Sequence, residues 1–207
     1  MNTVNRWLVT LGVMMAAMAG SGCRKDKLPA ASIQRLNSNT TDRLNKIHFA
    51  GNQRAFIAGG EMFDRATVLS STDGGYTWTA NSYPMAGKAM YGLGTSSTGA
   101  IYMCGVDGTV LHTADTGKTW QLGRILDWRH YIGAAFPTPD TGVFVSTVLQ
   151  REGCITQVDT AFRIISQDTF SLGFNNVYFT SASTGYVLGY GAILRTTDYR
   201  RTWQYLD

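Results

Sequence analysis

The sequence predicts an all-β fold. Three observations predict it: low charge combined with abundant glycine and aromatics, a set of landmarks that recurs about every 43 residues, and a turn motif in phase with them. Only 15% of the 207 residues are Asp, Glu, Lys or Arg, against roughly 25% in an average soluble domain. Glycine occurs 23 times, proline 4 times, and Phe, Tyr and Trp 9, 10 and 5 times. So many aromatics with so little charge exclude a disordered chain. The sequence also lacks the Glu, Lys, Ala and Leu bulk of a coiled coil or long helical bundle.

Residues 1–22 read as a signal peptide. A short, weakly basic start precedes the apolar run Trp7 to Gly20, which is shorter than the roughly 20 apolar residues a permanent membrane span needs. Small residues, Ala19-Gly20-Ser21-Gly22, then lead into Cys23. Small residues before a cysteine resemble a lipoprotein signal, in which Cys23 becomes the lipidated first residue, although Gly20 stands where such signals usually carry Leu. An ordinary secretory signal with an incidental cysteine is the alternative. Residues 23–31 read as a solvated tether, so the expected location is the cell envelope, at the outer membrane, with lipid on Cys23 providing the contact with the bilayer. Arg6 is the one charged residue before the tether, so the net charge of +4 becomes +3 beyond it. That excess is spread along the chain and forms no basic stripe, which argues against a nucleic-acid partner.

Residues 32–207 carry the repeat. Thr98-Gly99, Thr141-Gly142 and Thr184-Gly185 recur at a spacing of 43, and Arg54-Ala55 lies 44 earlier in matching surroundings. Six residues before each second member sits a large apolar residue: Phe49, Leu93, Phe136 and Phe179. Short strand-like runs follow, Phe56-Ile57-Ala58 and its counterparts, and then the apolar pairs Val68-Leu69, Val110-Leu111, Cys154-Ile155 and Ile193-Leu194. Each pair ends four residues before an aspartate: Asp73, Asp115, Asp159 and Asp198. Several landmarks holding one phase over four units identify an array of like supersecondary units.

Three of the aspartates sit in a fuller motif. Ser71-Thr72-Asp73-Gly74-Gly75-Tyr76-Thr77-Trp78 and Thr113-Ala114-Asp115-Thr116-Gly117-Lys118-Thr119-Trp120 are complete. The fourth unit ends on Thr202-Trp203 but has Arg200 at the glycine position, and the third keeps only Asp159, with Ala161, Arg163 and Ile164 replacing Gly, Thr and Trp. The pattern Ser/Thr-x-Asp-x-Gly-x-Thr-Trp resembles the Asp-box, or bacterial neuraminidase repeat. A hairpin turn needs an Asp to accept backbone N–H groups and a Gly for positive φ, and an indole can pack over the turn. Arg200 is therefore expected to fit less comfortably. A turn motif shared by every unit is read as structural rather than catalytic.

Each unit of about 43 residues suits four short antiparallel strands, the blade of a β-propeller. In the fourth unit the strands are expected near 176–179, 185–188, 192–196 and 202–205. The arrangement from Val177-Tyr178-Phe179 through Gly185-Tyr186-Val187-Leu188-Gly189 to Asp198 is similar to the photosystem II assembly and stability factor family of propellers, over residues 32–207. That resemblance implies assembly or scaffolding work through a protein partner in the envelope. It also implies more blades than the four counted here. Ile33 to Leu36 and Trp203 to Tyr205 both look like outer strands. The alternatives are therefore a four-bladed ring with a spare strand or an open, imperfectly closed arc of a larger propeller, and the second is favoured.

Strand order divides the loops between two rims. Asp-box turns and first-to-second strand turns share one rim. Second-to-third strand turns and blade connections share the other, where segment lengths vary and where binding sites are normally built. Candidate binding residues on this second rim are Glu61 and Arg65, Asp107, the run Asp127, Trp128, Arg129 and His130, and Arg151 with Glu152. An aromatic flanked by Arg and His suits a protein partner, a carboxylate or a sugar ring, while a Trp128 that merely plugs the gap between blades is the structural alternative. A carbohydrate-binding or glycoside-hydrolase-like propeller is the second functional reading, with Glu61, Asp107 and Glu152 in analogous turns. A sialidase's N-terminal Arg-Ile-Pro signature is absent. His48, His112 and His130 fall in separate units without ligand spacing and no Cys-x-x-Cys occurs, so neither a metal nor a cofactor is expected. Cys104 and Cys154 lie in apparent strands, either as a disulfide or, the favoured reading, as two buried thiols.

Overall fold

Period-two alternation of apolar residues folds each repeat unit into one antiparallel four-stranded sheet. The structure, a computed structural model, describes residues 35–206. Residues 1–31, read above as a signal peptide and tether and including Cys23, lie outside the described residues. Blade 1 comprises β1 (Leu44–Ala50), β2 (Arg54–Glu61), β3 (Arg65–Ser71) and β4 (Thr79–Tyr83). Blade 2 comprises β5 (Met90–Thr95), β6 (Ile101–Gly105), β7 (Thr109–Thr113) and β8 (Gln121–Arg124). Blade 3 comprises β9 (Tyr131–Thr138), β10 (Thr141–Val148), β11 (Glu152–Val158) and β12 (Ile164–Phe170). Blade 4 comprises β13 (Phe174–Phe179), β14 (Gly185–Gly189), β15 (Ile193–Thr196) and β16 (Gln204–Leu206). Strand order within each sheet is the chain order, and the strand positions expected in the fourth unit are met to within two residues.

Both faces of the middle blades are apolar because each packs against a neighbour. In β10, Phe144 points toward blade 2 with Tyr131, Phe136 and Phe162. Val143 and Val145 point toward blade 4, against Val177, Val187 and Leu194. Between blades 1 and 2 the layer is Phe56, Val68, Met90, Leu93, Met103 and Leu111. Cys104 and Cys154 are buried and unpaired, and burial pushes the Cys104 thiol up to about 12. The favoured reading of two buried thiols holds.

The Asp-box turns form as their residue types require. Asp73 accepts the Thr77 N–H at 3.0 Å, the Thr77 hydroxyl at 2.6 Å and the Ser71 hydroxyl at 2.7 Å. Asp115 and Asp198 repeat the same three bonds with Thr119 and Thr113, and with Thr202 and Thr196. Gly75 and Gly117 take positive φ of 92° and 87°. Arg200 adopts the glycine conformation at φ 72°; its N–H bonds Thr196 Oγ1, and its buried guanidinium donates to Gln157 Oε1 and the Ala182 carbonyl. The strain expected there is therefore offset by contacts that reach into blade 3.

The third turn is built differently. It spans 159–163 between β11 and β12, against 72–78 between β3 and β4. Asp159 accepts the Ala161 and Arg163 N–H groups, both at 2.9 Å. Phe162, at φ 61°, takes over the aromatic role. It packs edge-on against His112 and Tyr102 of blade 2 at 5.3 and 6.4 Å. The tryptophans immediately precede the outer strands. Trp78 packs against Gly75 of its own turn, and Trp120 packs on Phe56 and Tyr83 of blade 1 at 6.2 and 6.3 Å.

These bonds set a pH dependence. Hydrogen bonds from Thr202 hold the Asp198 carboxyl down at about 2, from an ordinary value of 3.8, and Thr77 and Thr119 hold Asp73 and Asp115 lower still. Below pH 3.8 the unfolded chain takes up protons that the folded turns refuse. The stabilisation is thus complete above that pH and is lost as pH falls toward 2. The melting temperature of the wild type is expected to fall more steeply between pH 4 and pH 2.5 than that of Asp198→Asn, which has no carboxyl to titrate. Parallel curves would refute the assignment.

Inner strands carry the contacts between successive blades: β1 and β2 meet β5, β5 meets β9, and β9 and β10 meet β13. Among the described residues β1 pairs only with β2 and β16 only with β15, so no strand pairing joins blade 4 to blade 1. The open arc, not the ring closed by terminal strands, is what forms. Arg35 and Leu36 are not in a strand, which corrects the outer strand expected over 33–36; Ile33 and Gln34 lie outside the described residues. Residues 37–42 instead run as a strap over the outer half of blade 1. Asn39 Nδ2 donates to the Trp78 carbonyl at 2.7 Å, and the Asp42 carboxylate accepts Arg65 Nη2 at 2.6 Å and the Thr67 hydroxyl. Hydrogen bonding by Arg65 lowers the Asp42 carboxyl.

Candidate functional site on the second rim

Backbone hydrogen bonds stitch the second-to-third strand turns to the blade connections. Ala89 N–H donates to the Met62 carbonyl at 3.4 Å, Gly108 N–H to Arg129 at 2.8 Å, and Gly173 N–H to Gln150 at 3.1 Å. This rim holds four non-glycine residues at positive φ, Asp107, Trp128, Leu149 and Gln150. Backbone held in such conformations persists only where surrounding structure fixes it.

The largest polar network surrounds Asp127. The buried Tyr131 hydroxyl donates to Asp127 Oδ2 at 2.5 Å and lies within hydrogen-bond distance of the Thr156 hydroxyl, at 2.9 Å, and Gln167 Nε2 donates to Asp127 at 2.8 Å. Burial, reinforced by Asp127, raises the Tyr131 phenol far above its ordinary range. Arg129 bridges Glu152 at 3.2 Å and lies 3.6 Å from Asp127. A second group joins blades 1, 2 and 3. Lys88 pairs with Asp107 at 2.8 Å and lies 4.7 Å above the Phe63 ring, and His130 packs 4.4 Å from Tyr91. Burial lowers the His130 pKa, against the pull of Asp107, which keeps the imidazole neutral at pH 7.

Asp127, Arg129 and Glu152 thus come together, while Asp107 and His130 belong to the neighbouring group. Glu61 and Arg151 are exposed on their turns. Arg65 faces away from this set, engaged by Asp42 and Asp64. Trp128 is 73% exposed, so it does not plug the gap between blades; Arg124 lies 5.9 Å from its ring. Sequence reasoning missed further exposed apolar residues on this rim. Leu149, Leu126 and Met85 are 87%, 82% and 66% exposed, and Phe63, also on this rim, 69%. Large apolar side chains exposed on the loops of one rim offer material for an interaction surface. The signal available in sequence was their place within rim segments, not their type.

None of the four main cavities is lined by Glu61, Asp107 or Glu152, and two of these acids are held by Lys88 and Arg129. Among the described residues no three His, Cys, Asp or Glu side chains converge as a metal site would.

Residues 25–128, half of the chain, match the family model for the photosynthesis system II assembly factor YCF48. The chain belongs to the YCF48 family. Two solved YCF48 structures share its fold. One is YCF48 bound to D1 peptide, 17% identical, with a TM-score of 0.54 over 83% of this chain and 55% of that one. The other is YCF48 from Cyanidioschyzon merolae, 13% identical, with a TM-score of 0.56 over 83% of this chain and 59% of that one. An ancestral GH74 enzyme matches at 14% identity and a TM-score of 0.58, over 84% of this chain and 25% of that one. The chain therefore spans between half and two thirds of the length of the YCF48 chains it matches. None of the curated proteins compared matches it.

Proposed function

We propose that this YCF48-family chain is an exported, lipid-anchored assembly scaffold that binds a protein partner through its second rim. The carrying observation is the set of exposed apolar residues, Phe63, Met85, Leu126, Trp128 and Leu149, on the rim that also carries the Arg129–Glu152 pair. Large exposed side chains ringed by polar groups are the anatomy of binding hot spots. The peptide-bound YCF48 structure supports a polypeptide as the ligand class. Carbohydrate binding or hydrolysis, the second reading, has less support, because Glu61, Asp107 and Glu152 line none of the four cavities described above, whereas a glycosidase flanks its substrate with two carboxylates.

Crosslinking and pull-down from envelopes tests the rim. Trp128→Ala with Leu149→Ser alters residues that are exposed, so the fold is retained. Recovery of the partner is expected to drop at least about tenfold, the loss of a single modest hot spot. Unchanged recovery would place the site elsewhere. For the anchor, Cys23→Ser is expected to abolish lipid labelling and globomycin-sensitive processing.

A further inference from the structure

Among the described residues, one face of blade 4 and the inner half of one face of blade 1 have no neighbouring blade. On blade 4 the register places Tyr178, Tyr186, Leu188 and Ile193 on one face, and Tyr178 is 65% and Leu188 44% exposed. On blade 1 the bare inner half is Ile47 and Phe49, 51% and 50% exposed. These faces are not arbitrary apolar patches. In the repeat, Tyr186 and Leu188 are the counterparts of Val143 and Val145, and Ile47 and Ile57 those of Val177 and Val187. Val143 and Val145 pack on Val177 and Val187 between blades 3 and 4. The two bare faces are therefore the two halves of a junction that the chain already makes.

We propose that a second copy of this chain supplies the missing halves, blade 4 of each copy packing on blade 1 of the other to close an eight-bladed ring. The blade count agrees. Two arcs of four blades make eight, which lies within the range of known rings. The inner strands already curve around a shared space, since His48 of β1 and Tyr178 of β13 line the same cavity of about 510 Å³. The strap does not obstruct docking. It lies over β3 and β4, whereas junctions within the chain are made mainly by the inner strands. A head-to-tail contact closed by a two-fold axis leaves no free face to propagate.

The test is the mass of the full chain in detergent solution, together with exposed-face variants that leave the rim untouched. Wild type is expected at twice the mass of one processed, lipidated chain. Leu188→Lys and Ile47→Lys, each with an unchanged circular dichroism spectrum, are expected to dissociate at concentrations at least tenfold higher than wild type. In a Cys23→Ser background, chains carrying Ile47→Cys and Leu188→Cys are expected to form a disulfide-linked heterodimer when mixed. A single-chain mass for wild type would overturn the proposal. So would a disulfide formed within a single chain that carries both Ile47→Cys and Leu188→Cys, or a different protein seated on blade 4. Loss of partner binding at the rim with the dimer intact would be the separate failure of the rim reading.

Discussion

Gly94→Ala is expected to destabilise the protein by about 3 kcal/mol or more, enough to lower the urea midpoint sharply. A Cβ at Gly94 would strike the Ala134 carbonyl oxygen, lie 2.6 Å from its carbon and 3.2 Å from Ala135 N. All three are backbone atoms of β9, so no side chain can rotate away. Relief requires blades 2 and 3 to separate along their inner strands, which opens the packed layer between them. Gly99 provides the contrast. It lies on the β5–β6 turn at φ 83° with nothing within 4 Å of its Cβ, and Gly99→Ala should cost only about 1 kcal/mol of backbone strain. Equal shifts in the two variants would show that close approach at Gly94 is not what holds the blades.

Phe144→Ala is expected to cost about 3–5 kcal/mol. The ring is fully buried and makes edge contacts with Tyr131, Phe136 and Phe162 at centroid distances of 5.6, 5.7 and 6.5 Å. Those neighbours come from β9 and the third turn, so the cavity left by Ala is walled by aromatics that cannot collapse into it without moving the backbone. Thermal unfolding measures the cost. A loss below about 1 kcal/mol would mean that the layer between blades 2 and 3 repacks freely.

The blades were legible because their requirements are chemical. Asp73, Asp115 and Asp198 bond the groups that their turn type demands, and Thr77, Thr119 and Thr202 stand four residues on to supply them. Phe162 was not legible, because its role depends on a backbone conformation at φ 61° that composition does not encode. The strap was hidden for a similar reason: Asp42 is an ordinary acid in sequence and acquires its role only when Arg65 and Thr67 fold beside it. On the rim, the charged run from Asp127 to His130 announced itself. Leu126, Leu149 and Met85 did not, since an apolar residue read in isolation is assigned to a core. In sequence the open arc is one of two alternatives, because closure depends on curvature rather than residue type.

The placement of Trp120 and Phe162 against the blade before their own changes what counts as a unit of stability. A sheet taken alone has lost the aromatic that covers it from the next turn, and it carries one whose socket lies elsewhere. The chain behaves as a one-dimensional array in which neighbour couplings outweigh the elements they join. In a single copy separated from its partner, opening should therefore begin at the ends and travel inward. Hydrogen exchange would register this as protection that rises toward β5 and β9 from both termini, and cutting the chain at a repeat boundary would damage both fragments.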